Sequence, residues 1–208
     1  MLTKPEDSSL VVDRLCAQSR GQNTAVGCFY CEVFNTKFDT EPPKDQSAAS
    51  ILGSLLKQMI SGMERIPEEV WRALQERKKE ICGRRPQLPD VVKMLKLITS
   101  AQHTFMCIDA LDECTGAQRF KLLDSLNQIL DKSPRTRVFL TGRSHIRAEV
   151  ENVLAQRVVS VSISSTRENI RKYLHARLEE DKIPEAMDKS LEADILEGIP
   201  ENISETCV

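Results

Sequence analysis

The sequence predicts an α/β fold in which a parallel sheet is flanked by helices. Short apolar runs, which are typical of buried strands, alternate along the chain with longer segments of helical periodicity. Charged residues follow two of these runs within three positions, at the strand ends where ligands bind in open α/β sheets. With 208 residues, 40% of them apolar and 29% charged, the chain is large enough to bury a sizeable core.

Four segments have the composition of strands. The first is rich in aromatic and β-branched residues, and the next two are short apolar runs. The fourth alternates, with Val159, Val161 and Ile163 on one face and serines on the other, which predicts a half-buried strand. The predicted strands, all mutually parallel, are Ala25–Phe34, Thr104–Ile108, Arg137–Leu140 and Arg157–Ile163.

Apolar residues at helical spacing occupy the segments between the strands. The strongest pattern is Ser47–Ile60, where Leu52, Leu55 and Met59 repeat on one face. Two other helices open with a proline, which is favoured in the first turn. The remaining predicted helices are Ser8–Gln18, one opened by Pro67, one from Pro89 through Ile98, Gln118–Asp131, His145–Leu154, one started at Ser165, and a last one with Leu191, Ile195 and Ile199.

Composition and charge argue against several classes of function. The formal net charge is −2 and no basic tract is present, so nucleic acid is not expected as a main partner. No apolar run approaches the roughly 20 residues of a membrane span, and the N-terminus lacks the apolar core of a signal peptide. A cytoplasmic protein without a membrane partner is therefore expected.

The seven cysteines are scattered, unlike those of a secreted disulfide framework. Cys28 and Cys31 form a C-x-x-C pair, but they lie within a predicted strand. Residues three apart on a strand point to opposite faces, so the two sulfurs should not converge. No second pair or nearby histidine accompanies them, and we predict neither metal binding nor redox chemistry for this pair.

The candidate site lies where two predicted strands end. Asp109, Asp112 and Glu113 follow the strand Thr104–Ile108, and Arg143 follows the next strand along the chain. Buried carboxylates are costly unless they meet a cation, a donor or water, so this group predicts chemistry or ligand binding. The alternative is structural, because Asp112 and Glu113 would also suit the positive end of the helix that follows.

Two motifs at this site resemble those of a known family. The run from Phe105 to Cys114 reads Phe-Met-Cys-Ile-Asp-Ala-Leu-Asp-Glu-Cys and resembles a Walker B motif. The run from Val138 to Arg143 resembles the next strand of that family, which ends in a sensor arginine. Together they make the chain similar to NACHT domains of the nephrocystin-like N-terminal type, which are STAND-class P-loop NTPases common in large fungal signalling proteins. The resemblance runs from about residue 8 to about residue 199.

The resemblance implies roles for the four charged residues. Asp109 would hold Mg²⁺, commonly through water, and Asp112 and Glu113 would position or activate the attacking water. Arg143 would sense the outer phosphate of the nucleotide, where its charge offsets that of the transferring group. The cofactors implied are Mg²⁺ with ATP or GTP, and the partners implied are a full-length NACHT relative or other signalling proteins.

No phosphate-binding G-x-x-x-x-G-K-[ST] motif is present in these 208 residues. In the family that loop and its strand precede the helix that here reads Ser8–Gln18, so the resemblance implies a domain that begins inside its first helix. The loop's strand would lie between Arg137–Leu140 and Arg157–Ile163, which must otherwise pair directly or leave a gap. We therefore expect residues 1–163 to be a partial NACHT core, residues 164–208 to start the following helical segment, and nucleotide binding to be weak or absent.

Three interpretations follow from these motifs. The first is a NACHT-type fragment with the Walker B half of the site, which does not hydrolyse nucleotide and has a regulatory or scaffold role. The second is an NTPase whose phosphate loop is supplied by another chain. The third is an interaction module whose acids only cap helices.

Overall fold

A computed structural model describes residues 10–19, 23–32, 45–63, 65–79, 86–162, 166–179 and 189–202. The chain divides into two compact units, residues 1–158 and residues 159–208. The described residues of the first unit form three strands and most of the helices. Its elements are α1 (Leu10–Ser19), β1 (Thr24–Tyr30), α2 (Ala48–Ser61), α3 (Glu68–Lys79), α4 (Leu88–Ala101), β2 (His103–Asp109), α5 (Gly116–Leu130), β3 (Thr136–Leu140) and α6 (Arg147–Leu154).

The three strands form one parallel sheet in the order β1-β2-β3. Residues Tyr30 and Asp109 are partners at the carboxyl end of β1 and β2, and Ile108 and Leu140 are partners at the same end of β2 and β3. Helices connect the strands, as parallel pairing requires. The prediction of an α/β fold with a parallel sheet flanked by helices is confirmed.

The core lies where α2, α4 and α5 pack with the central strand. Met106 and Ile108 of β2 are fully buried, as is Leu55 of α2. Gly27 of β1 allows α2 to approach closely, because a Cβ at this position would lie 3.3 Å from both Leu55 Cδ2 and Met59 Cε. The amphipathic pattern of Ser47–Ile60 therefore marks the helix that packs most closely on the sheet.

Two glutamines contact backbone groups along and just after β1, whose outer edge pairs with no strand among the described residues. Gln58 of α2 accepts from the Cys28 N–H at 3.0 Å and donates to the Cys28 carbonyl at 2.7 Å. Gln46 makes the same two contacts with the backbone of Glu32, at 2.9 and 2.8 Å. Each side-chain amide thus replaces part of a neighbouring strand at an edge that would otherwise expose unpaired groups.

The predicted fourth strand is wrong over the described part of the segment. A short 3₁₀ turn covers Ala155–Arg157, and residues 158–162 form no strand, while residue 163 lies outside the described residues. Val159 is 89% exposed rather than half-buried. Alternating β-branched residues indicate a strand only when a neighbouring strand pairs their backbone, and the described sheet ends at β3.

The ends of two other predicted segments also lie outside the described residues. Strand β1 ends at Tyr30, and residues 33 and 34 of the predicted strand are not described. The described part of helix α1 is Leu10–Ser19, and the predicted start at residue 8 lies outside the described residues. The other helix boundaries shift by one to three residues, as is usual for helix ends.

The described residues of the second unit form two helices, α7 (Arg167–Glu179) and α8 (Lys189–Asn202), which contact each other. Thr166 caps α7, since its hydroxyl accepts from the Asn169 N–H at 3.2 Å. The division of the chain at residues 163 and 164 stays a prediction. Among the residues described in both units, no helix is long and apolar enough to cross a membrane.

Candidate functional site

The four predicted site residues lie together at the carboxyl edge of β2 and β3. Asp109 is the last residue of β2, and a 3₁₀ turn, Leu111–Glu113, follows it. Arg143 comes three residues after the end of β3 and pairs with both acids of that turn. The sheet register brings these segments together because parallel strands end at the same edge.

Thr141 connects the two strand ends. Its hydroxyl donates to Asp109 Oδ1 and accepts from the Ala110 N–H at 2.9 Å. Its backbone continues the pairing, since the Thr141 N–H donates to the Ile108 carbonyl and the Leu111 N–H donates to the Thr141 carbonyl. One carboxylate oxygen of Asp109 is thus held by a neutral donor, and Asp109 makes no ion pair with any residue that the structure describes.

Ala110 turns the chain sharply after Asp109. It has φ 52° and ψ 47°, in the left-handed region, which costs a non-glycine residue about 1–2 kcal/mol. The four hydrogen bonds around Thr141 compensate for this strain. The turn buries Leu111 and directs Asp112 and Glu113 toward the segment that follows β3.

Arg143 is held by the two acids of the 3₁₀ turn. Asp112 Oδ1 accepts from the Arg143 N–H at 3.2 Å, and Asp112 Oδ2 lies 3.4 Å from Arg143 Nε. Glu113 Oε1 accepts from Arg143 Nη2 at 3.0 Å. The Asp112 side chain is only 5% exposed, whereas that of Arg143 is 65% exposed. Asp112 therefore positions residues 141–143, the Thr-Gly-Arg segment. The Arg143 guanidinium remains open to solvent on one side.

Arg119 supports the turn from α5. Its Nε lies 2.7 Å from Glu149 Oε2 of α6, and its Nη1 donates to the Cys114 carbonyl at 2.8 Å. Both side chains are partly buried, so removing either one would leave the other charge poorly solvated. Sequence reasoning missed both Arg119 and Thr141. Thr141 stands within the recognised Thr-Gly-Arg motif, but Arg119 has no local signal.

Two buried thiols meet beside the acids. Cys31 follows β1, Cys114 follows the 3₁₀ turn, and their sulfurs lie 3.3 Å apart. This hydrogen bond raises the pKa of Cys31, and burial raises it further. The same bond lowers the pKa of Cys114, and the Arg119 guanidinium also favours its thiolate. Cys28 and Cys31 point to different partners, since Cys28 Sγ lies 3.7 Å from Gln58 Oε1.

A cleft at Asp109 is far smaller than a nucleotide. A cleft of about 10 Å³ lies there, lined in part by Val12, Tyr30 and Asp109, and it is large enough for about one water. A groove of about 420 Å³ lies between α4 and α5 and is lined by none of the predicted site residues.

A comparison with protein families identifies the relationship. The family model described as nephrocystin 3, N-terminal, matches residues 7–143. The chain belongs to this family. The match covers the sheet, the 3₁₀ turn and the whole Thr-Gly-Arg segment, so the candidate site lies within the shared domain. No curated protein and no solved structure matches the chain.

Gly142 is the position where this nephrocystin-type edge is most tightly packed. A Cβ there would lie 2.6 Å from Ile146 Cδ1 and 3.3 Å from Asp112 Oδ1. Because Ile146 is buried, Gly142→Ala should displace both side chains and lower the free energy of unfolding by about 1–2 kcal/mol. Urea denaturation would measure this loss.

The matched control is Gly53→Ala on α2, where nothing lies within 4 Å of the new Cβ. Removing a helix-interior glycine there should stabilise the protein by about 0.5–1 kcal/mol. A Gly142→Ala protein as stable as the Gly53→Ala protein would contradict the packing described for this edge.

Proposed function

We propose that the carboxyl edge of β2 and β3 is the metal- and outer-phosphate-facing half of the nucleotide site of a NACHT-type signalling NTPase. The observation that carries the proposal is the placement of Asp109, Glu113 and Arg143 at one edge of a parallel sheet, within the domain that the family shares. A further part of the proposal is that the 208-residue chain alone does not hydrolyse ATP or GTP. Its role is then regulatory or that of a scaffold.

Asp109 fits a Mg²⁺ ligand of the kind used with nucleotides. Its Oδ1 is held by Thr141, so the carboxylate has a defined orientation at the strand end. The described residues contain no group of three potential metal ligands. Mg²⁺ keeps several waters and binds through one or two carboxylates plus phosphate oxygens, so a single acid suffices only when a nucleotide is bound. Bound Mg²⁺ would supply charge neutralisation for the phosphates.

The two acids of the 3₁₀ turn have different geometries, which suggests different roles. Both carboxylate oxygens of Asp112 contact Arg143, one at its backbone N–H and the other at its guanidinium, so we assign Asp112 to positioning that residue. Glu113 contacts Arg143 through Oε1 and is the better candidate to orient or deprotonate a water. Arg143 would exchange Glu113 for the outer phosphate, and this exchange would release Glu113 for that task.

The chain alone has little to hold a triphosphate. Phosphate loops bind through backbone N–H groups and a lysine, and the sequence contains no such motif. The acids at the edge repel phosphate oxygens in the absence of Mg²⁺. Removing one preorganised donor costs about 10²–10³ in rate, and here a whole set of donors is lacking.

One observation favours a second candidate, a site completed by another polypeptide. The outer edge of β3 pairs with no strand among the described residues, so its backbone groups can accept a strand from a partner. A full-length relative that donates its phosphate loop beside β3 would then complete the site. The interaction-module interpretation, with acids that only hold helices and loops, requires no nucleotide at all.

The test is a titration of the purified chain with fluorescent ATP and GTP analogues in Mg²⁺. A second protein carries, fused before residue 1, the strand and phosphate loop of a family member. We expect no micromolar binding by the chain itself, and Mg²⁺-dependent binding by the fusion that Asp109→Ala abolishes. Asp124→Ala, an exposed acid on α5, is the control that should leave binding intact.

Each outcome distinguishes the candidates. Micromolar binding by the 208-residue chain that is lost in Asp109→Ala would refute the expectation that this chain alone does not bind nucleotide. Binding by the fusion that is insensitive to Asp109→Ala would refute the assigned metal role. Binding by a mixture with a full-length relative that exceeds the binding of that relative alone, and that is lost when this chain carries Asp109→Ala, would favour the completed site.

A further inference from the structure

The buried thiols of Cys31 and Cys114 form a contact that the nucleotide site does not use. They come from segments 83 positions apart, one after β1 and the other after the 3₁₀ turn that follows β2, and their sulfurs lie 3.3 Å apart. We propose that Cys31 and Cys114 are a reversible oxidation site, at which a peroxide converts the two thiols into an intramolecular disulfide.

The backbone holds both cysteines in place for this reaction. The Cys31 N–H donates to the Asp109 carbonyl at 3.0 Å, and the Cys114 N–H donates to the Leu111 carbonyl at 3.2 Å. Arg119 also fixes the Cys114 carbonyl. Closing the sulfur distance from 3.3 Å to the roughly 2.05 Å of a disulfide is within the reach of side-chain rotation.

The other described cysteines lack such a contact. Cys28 and Cys107 are register partners in β1 and β2, but the Cys28 thiol is directed to Gln58. Cys16 is exposed on α1. The structure therefore selects Cys31 and Cys114 among the five cysteines that it describes.

The chemistry balances in two steps. One thiol, as its thiolate, attacks hydrogen peroxide, the O–O bond breaks, and a sulfenic acid and hydroxide form. The second thiol then attacks the sulfenic sulfur, the S–S bond forms, and water leaves. Two thiols and one peroxide thus give one disulfide and two waters. A dithiol reductant reverses the reaction through two thiol–disulfide exchanges.

Burial determines which oxidants can reach the pair. Cys31 is 7% exposed and Cys114 is 3% exposed, so a small uncharged peroxide has better access than a bulky disulfide. The product would join the end of β1 to the turn that carries Asp112 and Glu113. Oxidation would then hold these two segments of the carboxyl edge together covalently.

The test maps disulfides in the full chain after treatment with hydrogen peroxide, blocking of free thiols and digestion with trypsin. Cleavage after lysine and arginine leaves Cys31 in the peptide of residues 21–37 and Cys114 in that of residues 97–119. These peptides also contain Cys28 and Cys107, so fragment-ion sequencing must assign the linked sulfurs. In the double variant Cys28→Ala, Cys107→Ala each peptide retains one cysteine, so the mass of the linked pair alone assigns the disulfide.

We expect one linked peptide pair, joined through Cys31 and Cys114, which disappears with dithiothreitol. Cys31→Ser and Cys114→Ser should each abolish it, and wild-type protein oxidised in concentrated urea should lose the preference for this pair. A link between Cys28 and Cys107, or a protein in which Cys16 is oxidised while Cys31 and Cys114 both remain free thiols, would overturn the proposal. Because the wild-type chain alone gives a result, the test does not depend on the variants folding.

Discussion

Leu55→Ala should lower the free energy of unfolding by about 3–5 kcal/mol, within the range measured for fully buried leucines. Leu55 is fully buried on α2, and its Cδ2 packs where β1 carries Gly27 instead of a larger residue. The strand and helix already approach as closely as the missing side chain of Gly27 allows, so they cannot collapse further to fill the cavity. The loss therefore includes the free energy gained by burying the removed atoms and most of the cost of the cavity that they leave.

Equilibrium urea denaturation followed by tryptophan fluorescence would measure this effect. Trp71 on α3 is the single tryptophan, and it lies in the unit of residues 1–158, so the signal reports the unit that contains Leu55. Lys57→Ala on the exposed face of the same helix is the control and should change stability by less than about 0.5 kcal/mol. A Leu55→Ala loss below about 1 kcal/mol would contradict the close packing of α2 on β1.

Asp112→Ala should cost about 2–3 kcal/mol, through lost hydrogen bonding rather than lost apolar packing. The Asp112 carboxylate accepts from the Arg143 N–H and pairs with its guanidinium, and it is almost fully buried. Removing it leaves the backbone N–H without its acceptor and releases the Thr-Gly-Arg segment. The loss stays below that of a fully buried ion pair because Arg143 is mostly exposed and can be hydrated.

Two variants separate the contributions to this loss. Asp112→Asn keeps an acceptor for the Arg143 N–H and should recover about half of the lost stability. Glu113→Gln removes only a pairing with an exposed guanidinium and should cost less than about 1 kcal/mol. Equal losses for Glu113→Gln and Asp112→Ala in the same denaturation experiment would mean that Asp112 does not position the segment.

These expectations bear on the proposed division of roles between the two acids. If Asp112 holds Arg143 in place, its removal affects both stability and any response to the outer phosphate. Glu113 can then be exchanged at little cost in stability, as a residue that changes partners must be. The stability measurements therefore test the arrangement independently of nucleotide binding.

The local patterns of the sequence were sufficient for the fold class and for the place of the site. Strands β2 and β3 are short apolar runs, and α2 has a regular amphipathic pattern, so each element is specified by its own residues. Once the strands are parallel, Asp109 and Arg143 must lie at the same edge, because each follows the end of its strand. This step needs no knowledge of side-chain packing.

Tertiary structure decided the features that depend on a partner distant in sequence. Residues 158–162 have the alternation of a strand but form none, since a strand exists only where another strand pairs with it. The sequence pattern pairs Cys31 with Cys28, but the Cys31 sulfur lies 3.3 Å from that of Cys114, because the ends of β1 and β2 bring these two residues together. Periodicity describes which face of an element a residue occupies, whereas a contact also requires the register and spacing of two elements, and these are set by the packing of the whole sheet and its helices.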